Sequence, residues 1–92
     1  MRVLVAEDDA RLREILARGL AEEHYIVKTF ERGDDAETAL YGGTYDIAIL
    51  DWNLPGRSGL EICRRLRERG ISLPVHGKRQ RDRPGARPRH LR

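Results

Sequence analysis

The chain has 92 residues, which is enough for one small domain at most, and its formal net charge is +3. The charge is unevenly placed: residues 1–76 carry 11 basic and 14 acidic side chains, a net charge of −3, whereas residues 77–92 carry 7 and 1, a net charge of +6. The pI of about 9.5 therefore reflects the last residues and does not indicate a nucleic-acid-binding fold. The single cysteine, Cys63, excludes an intrachain disulfide and favours a reducing compartment.

The N-terminal residues contain one Arg and a short apolar run that ends at acidic residues. This run is too short for the hydrophobic region of a signal peptide or for a membrane span. We therefore expect a cytoplasmic protein without membrane partners.

The first strand and the first helix are predicted from their apolar spacing. Residues 2–6 form a continuous apolar run, typical of a strand that is buried on both faces. Asp9 is the predicted N-cap of the helix that follows. The i, i+3, i+4, i+7 and i+8 positions of one helical face are occupied by Leu12, Ile15, Leu16, Gly19 and Leu20.

The same alternation of strands and helices continues as far as Val75. Ser58 is the predicted N-cap of the third helix, and Gly70 ends that helix. The other predicted elements are an edge strand at residues 24–30, a short helix after the turn at 33–35 that stops at Gly42-Gly43, a strand at 46–51 and a fourth strand that starts at 71–75.

Residues 76–92 break this pattern. They contain one large aliphatic residue, Leu91, together with several Gly and Pro residues and a dense run of Arg. Such a segment cannot bury side chains against a sheet, so we predict a domain at residues 1–75 followed by a basic, disordered tail at residues 76–92. Nonspecific nucleic-acid binding by the tail through counterion release is a weaker alternative.

Alternating strands and helices predict an α/β fold with parallel strands joined by right-handed crossovers. If the first strand is central, the second and third flank it, and the reversal between them opens a crevice at the carboxyl ends of the strands. Glu7 and Asp8 follow the first strand and Asp51 ends the third, so these carboxylates should converge in that crevice. Such a cluster favours Mg²⁺, with one acid placed to accept a phosphoryl group.

Two segments resemble the receiver domain of bacterial two-component response regulators. They are VLVAEDD at residues 3–9 and DIAILDWNLPGRSG at residues 46–59. The second segment most resembles the branch whose output is a winged-helix DNA-binding domain. The resemblance covers residues 1–75 and implies a flavodoxin-like, doubly wound parallel sheet that is incomplete at its C-terminal side.

The resemblance also implies a role for each site residue. Asp51 would be the phosphoacceptor of a phosphorelay and would receive its phosphoryl group from a sensor histidine kinase. Asp8 and Asp51 would bind Mg²⁺ through their side chains, Asn53 through its backbone carbonyl and Glu7 through a metal-bound water. A module of this kind is a signalling component and not an enzyme.

The chain departs from the family pattern after Val75. In the family, the fourth strand ends in a Thr or Ser that contacts the phosphoryl group, and a later fifth strand supplies a phosphate-binding Lys. Here His76-Gly77-Lys78-Arg79 replaces the aliphatic run, and those later elements do not follow. We therefore predict a truncated receiver that is impaired in switching and that lacks an output domain for specific DNA binding.

Truncation should also lower stability. A core of about 75 residues rarely supplies more than ~3–5 kcal/mol. The missing elements should leave the first helix poorly covered and favour self-association through exposed apolar surface. The strand residues expected to lose cover are Val3, Val5, Ile47 and Ile49.

Other functions fit the sequence less well. A nonfunctional or adaptor fragment that is never phosphorylated is the main alternative. A haloacid-dehalogenase-type phosphatase also places Asp-x-Asp after a strand, but Asn53 stands where the second acid would be. Cys63 is predicted to be a core thiol, and the three histidines, His24, His76 and His90, lack metal-ligand spacing.

Overall fold

Four parallel strands form one sheet, and helices connect them along the chain. The computed structural model describes residues 1–78. The elements are β1 (Arg2–Ala6), α1 (Ala10–Glu22), β2 (Ile26–Phe30), α2 (Gly33–Gly42), β3 (Ile47–Asp51), α3 (Gly59–Glu68) and β4 (Val75–Lys78). The strand order is β2-β1-β3-β4, which confirms the predicted α/β class and the central position of the first strand.

The two faces of the sheet are covered by different helices. Because side chains alternate along a strand, Leu4 and Ala6 of β1 lie on one face, in the same apolar cluster as residues of α2 and α3. The large side chains that those helices bury against this face are Leu40 of α2 and Ile62 and Leu66 of α3. Val3 and Val5 point to the opposite face, on which α1 lies.

The cover on the α1 face differs from the prediction. Val3 and Val5 are 1% and 0% exposed, so the expectation that they lose cover is wrong. Their strand is central, and its neighbours and α1 enclose them. Ile47 and Ile49 of β3 are only half-buried, and α1 has no buried residue. Self-association through this face stays a prediction.

The fourth strand has different bounds from those predicted. It begins at Val75, not Ile71, and it continues through Lys78, so the strand pattern does not stop at Val75. Residues 71–74 form the connection from α3. The backbone of Gly77 pairs with that of Leu50, because a parallel ladder needs backbone groups and no particular side chain.

Two other bounds shift by two or three residues. β2 begins at Ile26 and not at His24, whose positive φ of 70° places it in a turn. α2 begins at Gly33, so the predicted turn at residues 33–35 is already helical. The predicted tail from residue 79 onward lies outside the described residues. No helix among residues 1–78 combines the length and the apolar character needed to cross a membrane.

Candidate functional site

Three carboxylates meet where β1 and β3 end. Ala6 and Leu50 are register partners, so the chain leaves both strands at the same level of the sheet. Glu7, Asp8 and Asp51 each offer a carboxylate oxygen, and these oxygens lie within 4.8 Å of one another. The strand order thus brings together the three acids that the sequence placed at strand ends. Their roles as metal ligands or phosphoacceptor remain predictions.

Two of the three acids are buried. Glu7 is 1% exposed and Asp51 is 3% exposed, whereas Asp8 is exposed to solvent. Backbone amides offset part of the cost of this burial: Asp9 N–H donates to Glu7 Oε2 at 3.0 Å, and Asn53 N–H donates to Asp51 Oδ1 at 3.2 Å. The like charges repel, and a divalent cation between them would relieve that repulsion.

Asn53 lies on the loop that follows Asp51. Its side chain is exposed, and its amide hydrogen bond to Asp51 keeps its backbone next to the carboxylate cluster. This position is compatible with the predicted use of its carbonyl as a ligand. Asp9 has a different role, because its Oδ1 accepts from the amides of Arg11 and Leu12 at 3.0 and 3.1 Å. The prediction that Asp9 is a helix cap is confirmed.

The start of α3 is pressed against the end of β3. Ser58 is the N-cap, as predicted, and its Oγ accepts from Glu61 N–H at 3.1 Å. A Cβ at Gly59 would overlap the carbonyl oxygen of Asp51, so this close approach requires glycine. Trp52 is half-buried, and its ring lies over Gly77 of β4.

A buried ion cluster on the other side of this loop was missed by the sequence analysis. Glu37 of α2 is 4% exposed. Arg65 Nε donates to its Oε2 at 2.7 Å, Arg57 Nε lies 2.5 Å from its Oε1, and the Tyr41 hydroxyl donates to the same carboxylate. The Arg57 Nε–H is not aimed at an acceptor, so its contact is a charge pair and not a directed hydrogen bond. The sequence did carry one signal for this cluster, because Glu37 lies on the same helical face as Gly33 and Leu40.

The pKa of Glu37 reflects this competition between burial and partners. Burial alone would raise the pKa of the carboxyl, but the Tyr41 hydroxyl and the guanidinium groups of Arg65 and Arg57 outweigh it, so the pKa is lowered. For Cys63, burial raises the pKa of the thiol, and the neighbouring Arg67 only partly counteracts it. The thiol is half-buried, so it is less enclosed than the predicted core position.

Two of the three histidines can be placed. His24 and His76 are exposed. Neither belongs to the cluster of possible metal ligands found in residues 1–78, which consists of Glu7, Asp8 and Asp51. His90 lies outside the described residues.

Comparison with known proteins assigns the chain to a family. The response regulator receiver domain family matches residues 3–77, and the chain belongs to that family. It is 44% identical over 75 residues to the transcriptional regulatory protein TcrA of Mycobacterium tuberculosis, covering 82% of this chain and 30% of that protein. It is 47% identical over 68 residues to the phosphate regulon transcriptional regulatory protein PhoB of Rhizobium meliloti, covering 74% of this chain and 30% of that protein. The chain thus spans less than a third of the length of these relatives.

Solved structures agree with this assignment. The receiver domain of a Francisella response regulator superposes with a TM-score of 0.84 at 26% identity, covering 89% of this chain and 68% of that one. The response regulator TrrA of Thermotoga maritima, solved with Mg²⁺ and BeF, gives a TM-score of 0.76 at 38% identity, covering 80% and 64%. A complex of the histidine kinase ThkA with TrrA gives a TM-score of 0.79 at 32% identity, covering 94% of this chain and 74% of that one.

The lowered pKa of Glu37 predicts a specific pH dependence. Charged Glu37 stabilises the fold at pH values above the ordinary value of 4.5, and this contribution is lost as the pH falls through the lower folded-state pKa. In acid, the free energy of unfolding should therefore fall more steeply for the unaltered chain than for Glu37→Gln, in which this position does not titrate. Urea unfolding at pH values from neutral to well below 4.5 measures the free energy of unfolding of both chains.

Glu14→Gln is the matched control, since Glu14 is an exposed helix carboxylate whose side chain is 69% exposed. It should follow the unaltered chain throughout the titration. If Glu37→Gln also follows the unaltered chain, the carboxylate does not have the lowered pKa described here.

Proposed function

We propose that this chain is the phosphoacceptor module of a two-component phosphorelay and that Asp51 accepts a phosphoryl group from a sensor histidine kinase. The observation that carries the proposal is the cluster of Glu7, Asp8 and Asp51 at adjacent strand ends. Family membership supports it, as does similarity to a response regulator that was solved in complex with a histidine kinase.

The chemistry assigned to Asp51 is nucleophilic. One carboxylate oxygen would form a bond to phosphorus while the P–N bond of a phosphohistidine breaks, and the imidazole would leave with that electron pair. The product is an acyl phosphate on Asp51. The Asn53 amide, which donates to Asp51 Oδ1, orients the carboxylate so that its other oxygen can face the donor.

The residues at the strand ends also fit a Mg²⁺ site. We assign Asp8 and Asp51 as side-chain ligands, Asn53 as a backbone carbonyl ligand and Glu7 as a residue that holds a metal-bound water. All of these are oxygen donors, which Mg²⁺ prefers. When bound, Mg²⁺ supplies charge stabilisation for the carboxylates and for the incoming phosphoryl oxygens.

The residues of β4 favour a module that is phosphorylated but does not switch. In the family, the residue that contacts the phosphoryl group is a Thr or Ser at the end of the fourth strand. β4 contains Val75, His76, Gly77 and Lys78, so this strand supplies no such hydroxyl. We therefore keep impaired switching as part of the proposal, with an adaptor that is never phosphorylated as its alternative.

Replacing Asp51 distinguishes these two functions. With Mg²⁺ and acetyl phosphate, the unaltered chain should gain the mass of one phosphoryl group, and Asp51→Asn should gain none because the amide is not a nucleophile. Asp46→Asn, which alters an exposed acid just before the same strand, should be labelled normally. Intact mass spectrometry provides the readout. Equal labelling of Asp51→Asn would refute the assignment, and absence of labelling in every chain would favour the adaptor.

Replacing Asp8 tests the metal site. Asp8→Ala should weaken Mg²⁺ binding by about 10-fold or more, since loss of an outer partner of a metal ligand alone typically has that effect. Without metal, the variant should be at least as stable as the unaltered chain because one repelling charge is gone. Mg²⁺ titration followed by Trp52 fluorescence and by calorimetry measures the affinity.

Asp35→Ala is the control for Asp8→Ala, because Asp35 is an exposed acid in the first turn of α2. It should bind Mg²⁺ as the unaltered chain does. If Asp8→Ala retained full affinity, the metal would have to lie elsewhere.

A further inference from the structure

The loop that joins β3 to α3 is attached to α2 at three successive residues. Gly33 N–H donates to the carbonyl of Pro55 at 2.8 Å. Gly56 has a φ of 86° and packs so closely against the side chain of Asp34 that a Cβ would overlap it. Arg57 follows, with its guanidinium against buried Glu37. The first two attachments use the backbone or the space that glycine leaves, and only the third is a side-chain charge pair.

The same loop contributes to the candidate metal site at its other end. Asn53 N–H contacts the Asp51 carboxylate, and the Asn53 carbonyl is the assigned backbone ligand. Between Asn53 and α3, the loop has no regular secondary structure of its own, so its course depends on what it is attached to. The position of that carbonyl therefore depends on how firmly residues 55–57 are held.

We propose that Glu37, acting through Arg57, is a positioning residue that sets the β3–α3 loop for metal binding. The inference rests on the proposed function, because it assigns a role to Asn53 as a ligand. We assign neither Glu37 nor Arg57 a direct contact to the metal or to the phosphoryl group. Their contribution is to fix the loop before the ligand arrives, as outer-shell partners do in other metal sites.

Arg65 provides a built-in comparison. It pairs with the same carboxylate at 2.7 Å, but it lies on α3 and not on the loop. Loss of either arginine leaves Glu37 buried with fewer partners, so both losses should reduce stability. Only the loss of Arg57 also removes a side-chain attachment of the loop, while the backbone contacts of the loop to α2 remain. This difference separates a positioning role from a merely structural one.

The experiment compares Arg57→Gln with Arg65→Gln in the full chain. Both variants should unfold at lower urea concentration than the unaltered chain. Arg57→Gln should in addition weaken Mg²⁺ binding by about 10-fold, a typical effect for an outer-shell partner, whereas Arg65→Gln should leave the affinity unchanged. Calorimetric Mg²⁺ titration and urea unfolding provide the two readouts.

A second pair covers the case in which a Gln variant does not fold. Arg57→Lys and Arg65→Lys keep the charge next to Glu37 but shorten the reach and remove the planar fork, so the same split in affinity should appear in smaller form. Equal Mg²⁺ affinities within both pairs would overturn the inference while leaving the proposed function intact. Absence of Mg²⁺ binding by the unaltered chain would overturn the proposed function, and the inference with it.

Discussion

The parallel pairing of β1 with β3 is the constraint on which the site depends. Because Ala6 and Leu50 are partners in the ladder, Glu7 and Asp51 emerge side by side from the sheet. A slip of one residue would put Ile47 and Ile49 of β3 in the places of the fully buried Ala48 and Leu50, and the close packing around those two residues makes this register costly to change. Packing of the strands thus holds together acids whose charges would otherwise drive them apart.

Burial of carboxylates has two different consequences in this molecule. Glu37 is enclosed by two guanidinium groups and a hydroxyl, so its charge is compensated within the protein and fixes one arrangement of α2, α3 and the loop between β3 and α3. Glu7 and Asp51 share their pocket with a third acid instead. Compensation there would call for a cation, so the same type of side chain stabilises the fold in one place and supports the proposed metal site in the other.

The sequence predicted the parts of the structure that depend on local patterns. The continuous apolar runs of β1 and β3, the caps Asp9 and Ser58 and the meeting of acids at strand ends all follow from residue type and spacing. The bounds of β4 did not, because its pairing is set by the backbone of β3 and not by its own side chains. The pair between Glu37 and Arg65 joins residues 28 positions apart, which no local pattern encodes.

Paramagnetic NMR with Mn²⁺ in place of Mg²⁺ tests most directly whether the ends of β1 and β3 form one metal-binding pocket, as we propose. Broadening by Mn²⁺ falls steeply with distance from the ion. We expect the amide signals of Glu7, Asp8, Asp51 and Asn53 to disappear first, while those at the opposite ends of the same two strands persist. Broadening centred on the acids of α2, or spread evenly over the acidic surface, would contradict it.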